Sequence, residues 1–290
     1  MHERKIAIAV PASVVSDIPH LREKTSRVAT IGRAAAIFKI GEIIVYPDNL
    51  KVNQTRQVHL IALLLSYMET PQYLRKKLFN LEPDLRYAGI LPPLRTAHHP
   101  LERTMKGLKV GEFREAVTVS TNRDGTLVDI GVERLAILQK QQLPIGKRIT
   151  TKIRKVTAEI EVELANRDEI PDFWGYSVTK EDRPLGKIIE SGGFDLRIAT
   201  SKYGIPFSDI AREMCERWRS AKSVILIFGA PNQGLHQIVR QENLELKEVA
   251  DFIVNVISSQ GTETIRTEEA IIASLAILNA FSSSSTLRDC

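Results

Sequence analysis

Over the first ninety residues, short apolar runs alternate with longer stretches of helical spacing. Ile6–Val10 reads as a buried strand, Leu21–Phe38 repeats apolar residues three and four apart, and Glu42–Tyr46 is a second strand closed by Pro47-Asp-Asn. Gln57–Met68 is a strongly apolar helix, and Pro71 opens another that ends at Lys76-Lys77. Gly89-Ile-Leu-Pro-Pro-Leu94 and His98-His-Pro100 then break the pattern, because paired prolines favour extended chain over helix. From Gly107 to Leu164 the hydrophobic period changes from near 3.6 residues to 2. Phe113–Ser120, Thr126–Val132, Lys147–Val156 and Thr157–Leu164 read as strands, with Asn122-Arg-Asp-Gly125 as a tight hairpin connection. The last of these puts Ile160, Val162 and Leu164 on one face and Glu159, Glu161 and Glu163 on the other, a core face and a wet face.

About five short antiparallel strands in so small a span match a small closed barrel such as an OB-fold, although Ile/Val alternation fits other small barrels equally. Asp172-Phe-Trp-Gly-Tyr176 and Glu181-Asp-Arg-Pro184 read as a linker out of the barrel. The α/β rhythm then resumes with a strand at Asp195–Thr200, a helix at Phe207–Trp218, and strands at Val224–Phe228 and Phe252–Ile257. Neither α/β half has enough strands for a good sheet, so the halves are expected to complete each other. The expected organisation is a discontinuous α/β domain, residues 1–92 and 177–290, interrupted by a small OB-like β-barrel with its linkers, residues 93–176.

Composition narrows this little: 43% hydrophobic and 26% charged residues are ordinary for a globular protein. No apolar run approaches the ~18–20 residues of a membrane span, and Met1-His-Glu-Arg-Lys5 leads into no signal-peptide cleavage pattern, so the expected compartment is the cytoplasm. Cys215 and Cys290 form no CxxC or Cys/His pair, which argues against a disulfide framework or a structural zinc. The net charge of +5 is concentrated in residues 20–106, in Arg22, Lys24, Arg27, Arg33, Arg75, Lys76, Lys77, Arg86, Arg95 and Arg103. Nucleic acid is the polyanion such a cytoplasmic protein would meet. His98-His99 reads as linker more readily than as metal ligands, Trp174 and Tyr176 as junction anchors more readily than as base-stacking platforms, and Lys152, Arg154 and Lys155 as either a solvated face or a backbone track.

The C-terminal third carries the strongest chemical signal. Val224-Ile-Leu-Ile-Phe228 runs into Gly229-Ala-Pro-Asn-Gln-Gly234, and Phe252–Ile257 runs into Ser258-Ser-Gln-Gly-Thr-Glu-Thr-Ile-Arg-Thr-Glu-Glu-Ala270. Two strand-then-glycine-loop units in tandem are how open α/β sheets build a ligand crevice at their strand ends. Gly229-x4-Gly234 lacks the Lys-Ser/Thr of a P-loop and the G-x-G-x-x-G of a dinucleotide fold, and taken alone is a strand-terminating turn. Thr267 is the expected N-cap of the last helix, with Glu268 and Glu269 in its first turn, and Ala270–Leu278 is apolar on nearly every side.

Taken together, Ile31-Gly-Arg-Ala-Ala-Ala-Ile-Phe-Lys-Ile-Gly-Glu-Ile-Ile-Val45, Ile225-Leu-Ile-Phe-Gly-Ala-Pro-Asn-Gln-Gly-Leu235 and Thr264-Ile-Arg-Thr-Glu-Glu-Ala-Ile-Ile-Ala-Ser-Leu275 resemble the three motifs of the SPOUT (SpoU–TrmD) methyltransferases. An α/β domain split by an OB-like barrel is similar, over the whole chain, to the putative RNA methyltransferase family linked to uridine N3 methylation. The resemblance implies a trefoil knot at the C-terminus, a Rossmann-like parallel sheet, and a homodimer with a composite active site. It also implies bent S-adenosylmethionine held at Gly229, Pro231, Gly234, Leu235, Ile257, Thr264, Ile265 and Thr267, with Thr200 and Ser201 closing the pocket. Arg33 matches the arginine of the first motif, Arg27 falls where asparagine is frequent, and Pro231 stands where many SpoU-like members have glutamate. Arg33, with Arg27 and Arg266, is expected to serve catalysis as a charge clamp and not as a base. The function so implied is S-adenosylmethionine-dependent methylation of rRNA or tRNA, without metal or membrane. Two other readings remain open: a non-catalytic RNA-binding or ribosome-assembly factor keeping the fold, and another nucleotide-binding α/β enzyme.

Overall fold

The structure is a computed structural model that describes residues 4–283. Cys290 and the first three residues lie outside them, and Cys215 is buried with a free thiol. The chain opens with β1 (Lys5–Pro11), α1 (Leu21–Ile37), β2 (Glu42–Tyr46), α2 (Thr55–Glu69) and α3 (Gln72–Leu78). Strands β3 (Phe113–Thr121), β4 (Gly125–Asp129), β5 (Ala136–Gln139), β6 (Arg148–Val156) and β7 (Ile160–Leu164) follow. The remainder is β8 (Ser177–Lys180), α4 (Leu185–Ser191), β9 (Leu196–Pro206), α5 (Phe207–Ser220), β10 (Ser223–Ile227), α6 (Leu235–Arg240), α7 (Leu246–Val249), β11 (Phe252–Asn255) and α8 (Thr267–Ser283). Contacts divide these into two compact units. One holds the residues up to Ser66, Tyr87–Pro92 and those from Tyr176 onward; the other holds Tyr67–Arg86, which includes α3, and Pro93–Gly175.

In the first unit six parallel strands form one sheet in the order β11-β9-β10-β1-β2-β8. Strands β1 and β2 sit between β10 and β8, so the two halves of the α/β sequence do complete one sheet. Ala7, Ala9, Ile44, Tyr46, Ile225 and Ile227 bury one face against Leu185, Ile188, Leu235, Ile238 and Leu246 of the short helices. The residues between them, Ile8, Val10, Ile43, Val45 and Leu226, are buried on the other face, and α1 packs on α8. Burial on both faces is why these strands read as continuous apolar runs.

The second unit is a closed five-stranded barrel in the order β3-β4-β5-β7-β6, antiparallel except where β5 meets β7. Ala116, Val128, Ala136, Leu138, Ile153, Ile160 and Val162 fill it. The Asn122 side chain accepts from the backbone of Asp124 and Gly125, each at 2.9 Å, and fixes the hairpin turn.

Several expectations are corrected. The strand expected at Thr126–Val132 ends at Asp129, and Leu164, expected in the core, is 42% exposed where β7 runs out of the barrel. Strand β5 is not among the strands named from the sequence, because four residues show too little alternation. Between the two stretches read as linker lies β8, an edge strand with one apolar residue, and after them comes α4, too short for a helical period. Strand β9 continues past Thr200 to Pro206. Arg154 and Lys155 are paired with Glu163 and Glu161 at 2.6 and 2.8 Å, and Lys152 lies over the Phe113 ring.

The barrel unit also holds a buried polar network. Arg148 spans Glu69 (2.6 and 3.1 Å) and Glu115 (2.5 Å), and Glu115 accepts from Trp174 Nε1 at 2.6 Å and Thr150 Oγ1 at 2.7 Å. His98 and His99 both donate Nε2–H to the Glu69 carbonyl, at 2.9 and 2.6 Å. Trp174 is therefore a buried anchor, as is Tyr176 in the sheet unit, whose hydroxyl donates to Leu65 at 3.1 Å. No cluster of three or more potential metal ligands occurs among the described residues, and no described helix is long and apolar enough to cross a membrane.

Candidate active site

Parallel strands place all their C-terminal ends along one edge of the sheet, and loops leaving adjacent strands there enclose a crevice. At the ends of β9, β10 and β11 the crevice is a cavity of about 360 Å³. Its walls include all ten residues expected to hold the cofactor: Thr200 and Ser201 from β9; Gly229, Pro231, Gly234 and Leu235 after β10; Ile257, Thr264, Ile265 and Thr267 after β11.

The β9 wall is a large irregularity in the sheet. Phe252 and Ile253 of β11 pair with Ile198 and Ala199, but Val254 and Asn255 pair with Ile205 and Pro206, leaving residues 200–204 of β9 outside the ladder. A bulge of this kind re-aims side chains at a sheet rim. It is braced by Asn255, whose amide donates to the Lys202 carbonyl at 3.0 Å. It closes on Gly204, where a Cβ would come 2.7 Å from the Ile253 carbonyl oxygen.

The loop after β10 is held by its carbonyls. Ile227, Phe228 and Gly229 accept, in sequence, from Thr200 Oγ1 (3.1 Å), Tyr46 OH (2.7 Å) and Thr267 Oγ1 (2.9 Å). Three side chains from three elements thus fix three successive peptides. Tyr46 is fully buried, and burial, then the charges of Asp48 and Glu242, hold its phenol well above the usual range, so it remains a donor. Ala230 and Gln233 close the turn with reciprocal backbone bonds of 3.0 and 3.3 Å. Gly234 follows as the residue whose carbonyl starts α6.

Thr267 was expected to cap the last helix. Its hydroxyl is instead spent on Gly229, and the helix begins with the Arg266 N–H donating to Glu269 Oε2 at 2.9 Å and the Ala270 N–H donating to the Arg266 carbonyl. The residue three positions into the helix does the capping.

The three arginines are not gathered in this cavity. Arg27 is bound by Asp17 (2.6 Å), Glu268 (3.2 Å) and the Val14 carbonyl (2.8 Å), with its side chain 8% exposed. Arg33 lines a separate cavity of about 450 Å³ between α1 and α8, beside Ser26, Thr30, Ile37, Ile90 and Ile272. Arg266 is exposed, with its neighbours Ile265 and Thr267 in the wall of the first cavity. Sequence reasoning also missed Lys202, Tyr203, Asn232, Gln233, His236 and Gln260, which line the first cavity. Their signal was adjacency alone: each lies within three residues of an expected position.

A family model described as "Putative RNA methyltransferase" matches residues 5–278. The 28S rRNA (uridine-N(3))-methyltransferase of Mus musculus is 31% identical over 303 residues, covering 94% of this chain and 75% of that protein. The enzyme of the same name from Homo sapiens is 30% identical, with 94% and 77% covered. An uncharacterized protein of Halobacterium salinarum is 30% identical, with 94% and 98% covered. A cavity at the strand ends of a parallel sheet, in a chain matched almost from end to end, leads to one conclusion: the chain belongs to this putative RNA methyltransferase family and is an RNA methyltransferase.

Proposed function

We propose that the chain transfers a methyl group from S-adenosylmethionine to N3 of a uridine in ribosomal RNA. The observation that carries the reading is the gathering of ten residues from three separate segments around one cavity, in a chain that relatives named rRNA (uridine-N(3))-methyltransferases match over 94% of its length. The walls suit such a donor. The volume falls within the range of small-ligand sites, apolar Leu235, Ile257 and Ile265 alternate with polar groups, and a Cβ at Gly229 would intrude to 3.3 Å from the Leu235 nitrogen. When bound, S-adenosylmethionine supplies an electrophilic methyl group on its sulfonium.

The chain's own residues then hold and orient. Backbone around Gly229, Pro231, Gly234, Leu235, Ile257, Thr264 and Ile265 takes adenine and ribose, Thr200 and Ser201 close the pocket, and Thr267 keeps the Gly229 carbonyl fixed. Uridine N3 must lose its proton to attack, and the charge spreads onto the flanking carbonyl oxygens. Arg33 stabilises that charge, assisted by Arg266 at the rim. Arg27 acts by holding Glu268 and hence the start of α8.

Arg33 reaches the site through a homodimer, as the SPOUT resemblance implies, with a second copy covering the α1/α8 face where Ile37, Ile90 and Ile272 are exposed. The C-terminal trefoil knot, the OB-like character of the barrel, the domain division at residues 93 and 176, and a cytoplasmic site of action belong to the same reading. The barrel and the basic N-terminal half grip the RNA.

Calorimetric titration with S-adenosylmethionine should give binding, and absence of heat would sink the cofactor assignment. Methyl transfer from labelled cofactor to ribosomal RNA, followed by nucleoside mass spectrometry, should yield 3-methyluridine. Binding without transfer to any RNA would leave a scaffold in place of an enzyme. Arg33→Ala should lower transfer by about a hundredfold or more while changing cofactor affinity little; equal losses in both would contradict its role.

A further inference from the structure

A third cavity, of about 390 Å³, lies wholly in the barrel unit and includes Gln72, Tyr73, Arg95, His99, Leu101 and Arg103 among its walls. Its electrostatics are one-sided. No carboxylate lines it, and the side chains of Arg95 and Arg103 have no hydrogen-bond or ion-pair partner among the described residues. Elsewhere in the same unit several cations are paired internally: Lys77 with Asp129, Arg114 with Glu112, Arg148 with Glu69 and Glu115, Arg154 with Glu163. Two guanidinium groups left open on one cavity are donors with no acceptor of their own.

The backbone and the imidazole point the same way. Arg95 is held at φ +55, a conformation that costs a non-glycine residue about 1–2 kcal/mol and recurs at ligand clamps. His99 donates Nε2–H to the Glu69 carbonyl at 2.6 Å, which leaves Nδ1 as an acceptor. Burial, then the neighbouring His98, push its pKa down to about 4, so the ring is neutral at physiological pH. Leu101 is 84% exposed and gives the cavity an apolar lip.

We propose that this cavity binds one unpaired nucleotide of the substrate RNA, with Arg95 and Arg103 on its phosphates and His99, Gln72 and Leu101 on its base. A guanidinium fork matches a phosphate, a fixed imidazole acceptor matches a base N–H or amino group, and a volume of this size takes a single nucleotide better than a duplex. The inference rests on the reading that RNA is the substrate and adds where a flanking nucleotide is held.

The test uses the full chain and a fluorescein-labelled oligouridylate, with anisotropy followed over a salt series. In Arg95→Asn/Arg103→Gln, where asparagine tolerates the left-handed backbone at 95, affinity should fall about tenfold. The slope of log affinity against log salt should fall by about 1.4, two single-strand phosphate contacts. Both positions are exposed, and an unchanged melting temperature confirms the fold. With 4-thiouridine in the strand, the wild-type chain should crosslink through the segment 95–103. Uridine monophosphate should compete only weakly; displacement at equal concentration would assign the cavity to a free nucleotide and overturn the strand proposal. A wild-type chain that binds S-adenosylmethionine and methylates RNA, while the variant keeps its slope or the crosslinks fall elsewhere, overturns this inference alone. A wild-type chain that neither binds cofactor nor methylates RNA removes the reading beneath it.

Discussion

Tyr46 contributes to the site without touching the cavity. Its hydroxyl is the partner of the Phe228 carbonyl in the middle of the three fixed peptides. Tyr46→Phe removes a donor in a fully buried position and leaves that carbonyl unsatisfied, which should cost about 1–3 kcal/mol of stability. The freed loop should also bind cofactor several-fold more weakly. Urea unfolding and calorimetry of the same variant measure both, and unchanged cofactor affinity would show that the loop is fixed without it. Gly234 gives the opposite case. A Cβ there meets no atom within 4 Å, so a larger side chain enters open space on the cavity wall without clashing with the protein. Gly234→Leu should therefore melt within a degree or two of wild type and give no heat with S-adenosylmethionine. The resemblance to the SPOUT motifs supplied the ten residues that line this cavity, and the glycine loops after β10 and β11 are the part of it with a sequence pattern of their own. Tyr46 was not legible, because its partner is 182 residues away and only the parallel pairing of β1 with both β2 and β10 brings the two together.

At the scale of elements, the site depends on a strand that departs from its ladder. If β9 paired regularly with β11, residues 200–204 would lie in the sheet and the wall they form would be lost. Gly204 permits the return, since Ile253 and Val254 backbone atoms stand 2.7–2.8 Å from where its Cβ would be. Neither backbone can yield without breaking β11. Gly204→Val should destabilise the protein by at least 2 kcal/mol, in the range of severe core overpacking, and its thermal unfolding should lose the stabilisation that cofactor gives the wild type. A variant that keeps both would show that the bulge is held by Asn255 alone. Sequence reading stopped this strand at Thr200 because the polar run Thr200-Ser-Lys-Tyr-Gly204 looks like a loop. The same limit hid β5, β8 and α4, whose four to seven residues carry too few apolar positions to establish a period. Elements with many apolar, buried positions, the long helices α1 and α2 and the strands β1, β2 and β10, were legible nearly to their ends.

At the scale of the whole molecule, two units with separate cores carry their polar weight differently, and this can be read by calorimetry. The barrel unit depends on a buried network that is sensitive to acid. Burial alone would raise the Glu69 carboxyl, but hydrogen bonds from His98 and Arg148, with the Arg148 charge, outweigh it and bring the pKa down to about 2. A carboxylate depressed in the folded state contributes stability above its unfolded pKa, near 4.3, and loses it as pH falls toward 2. His99, lowered to about 4 from near 6.5, also favours the folded state most at neutral pH, and its contribution drains away between 6.5 and 4. A shift of that size corresponds to roughly 3 kcal/mol at most. In the sheet unit the depressed carboxylates are Asp195, Glu245 and Asp251, all in exposed positions, where solvent screens the effect. The cavity proposed for the cofactor, conversely, belongs wholly to the sheet unit. Scanning calorimetry at pH 7 and pH 4.5 should therefore resolve two responses: acid lowers the barrel transition, while S-adenosylmethionine raises the sheet transition by mass action. His99→Gln should flatten the acid response of the barrel between pH 6.5 and 4 and leave the cofactor-linked transition where it was. A single transition that moves as one under both acid and cofactor would mean that the two cores unfold together.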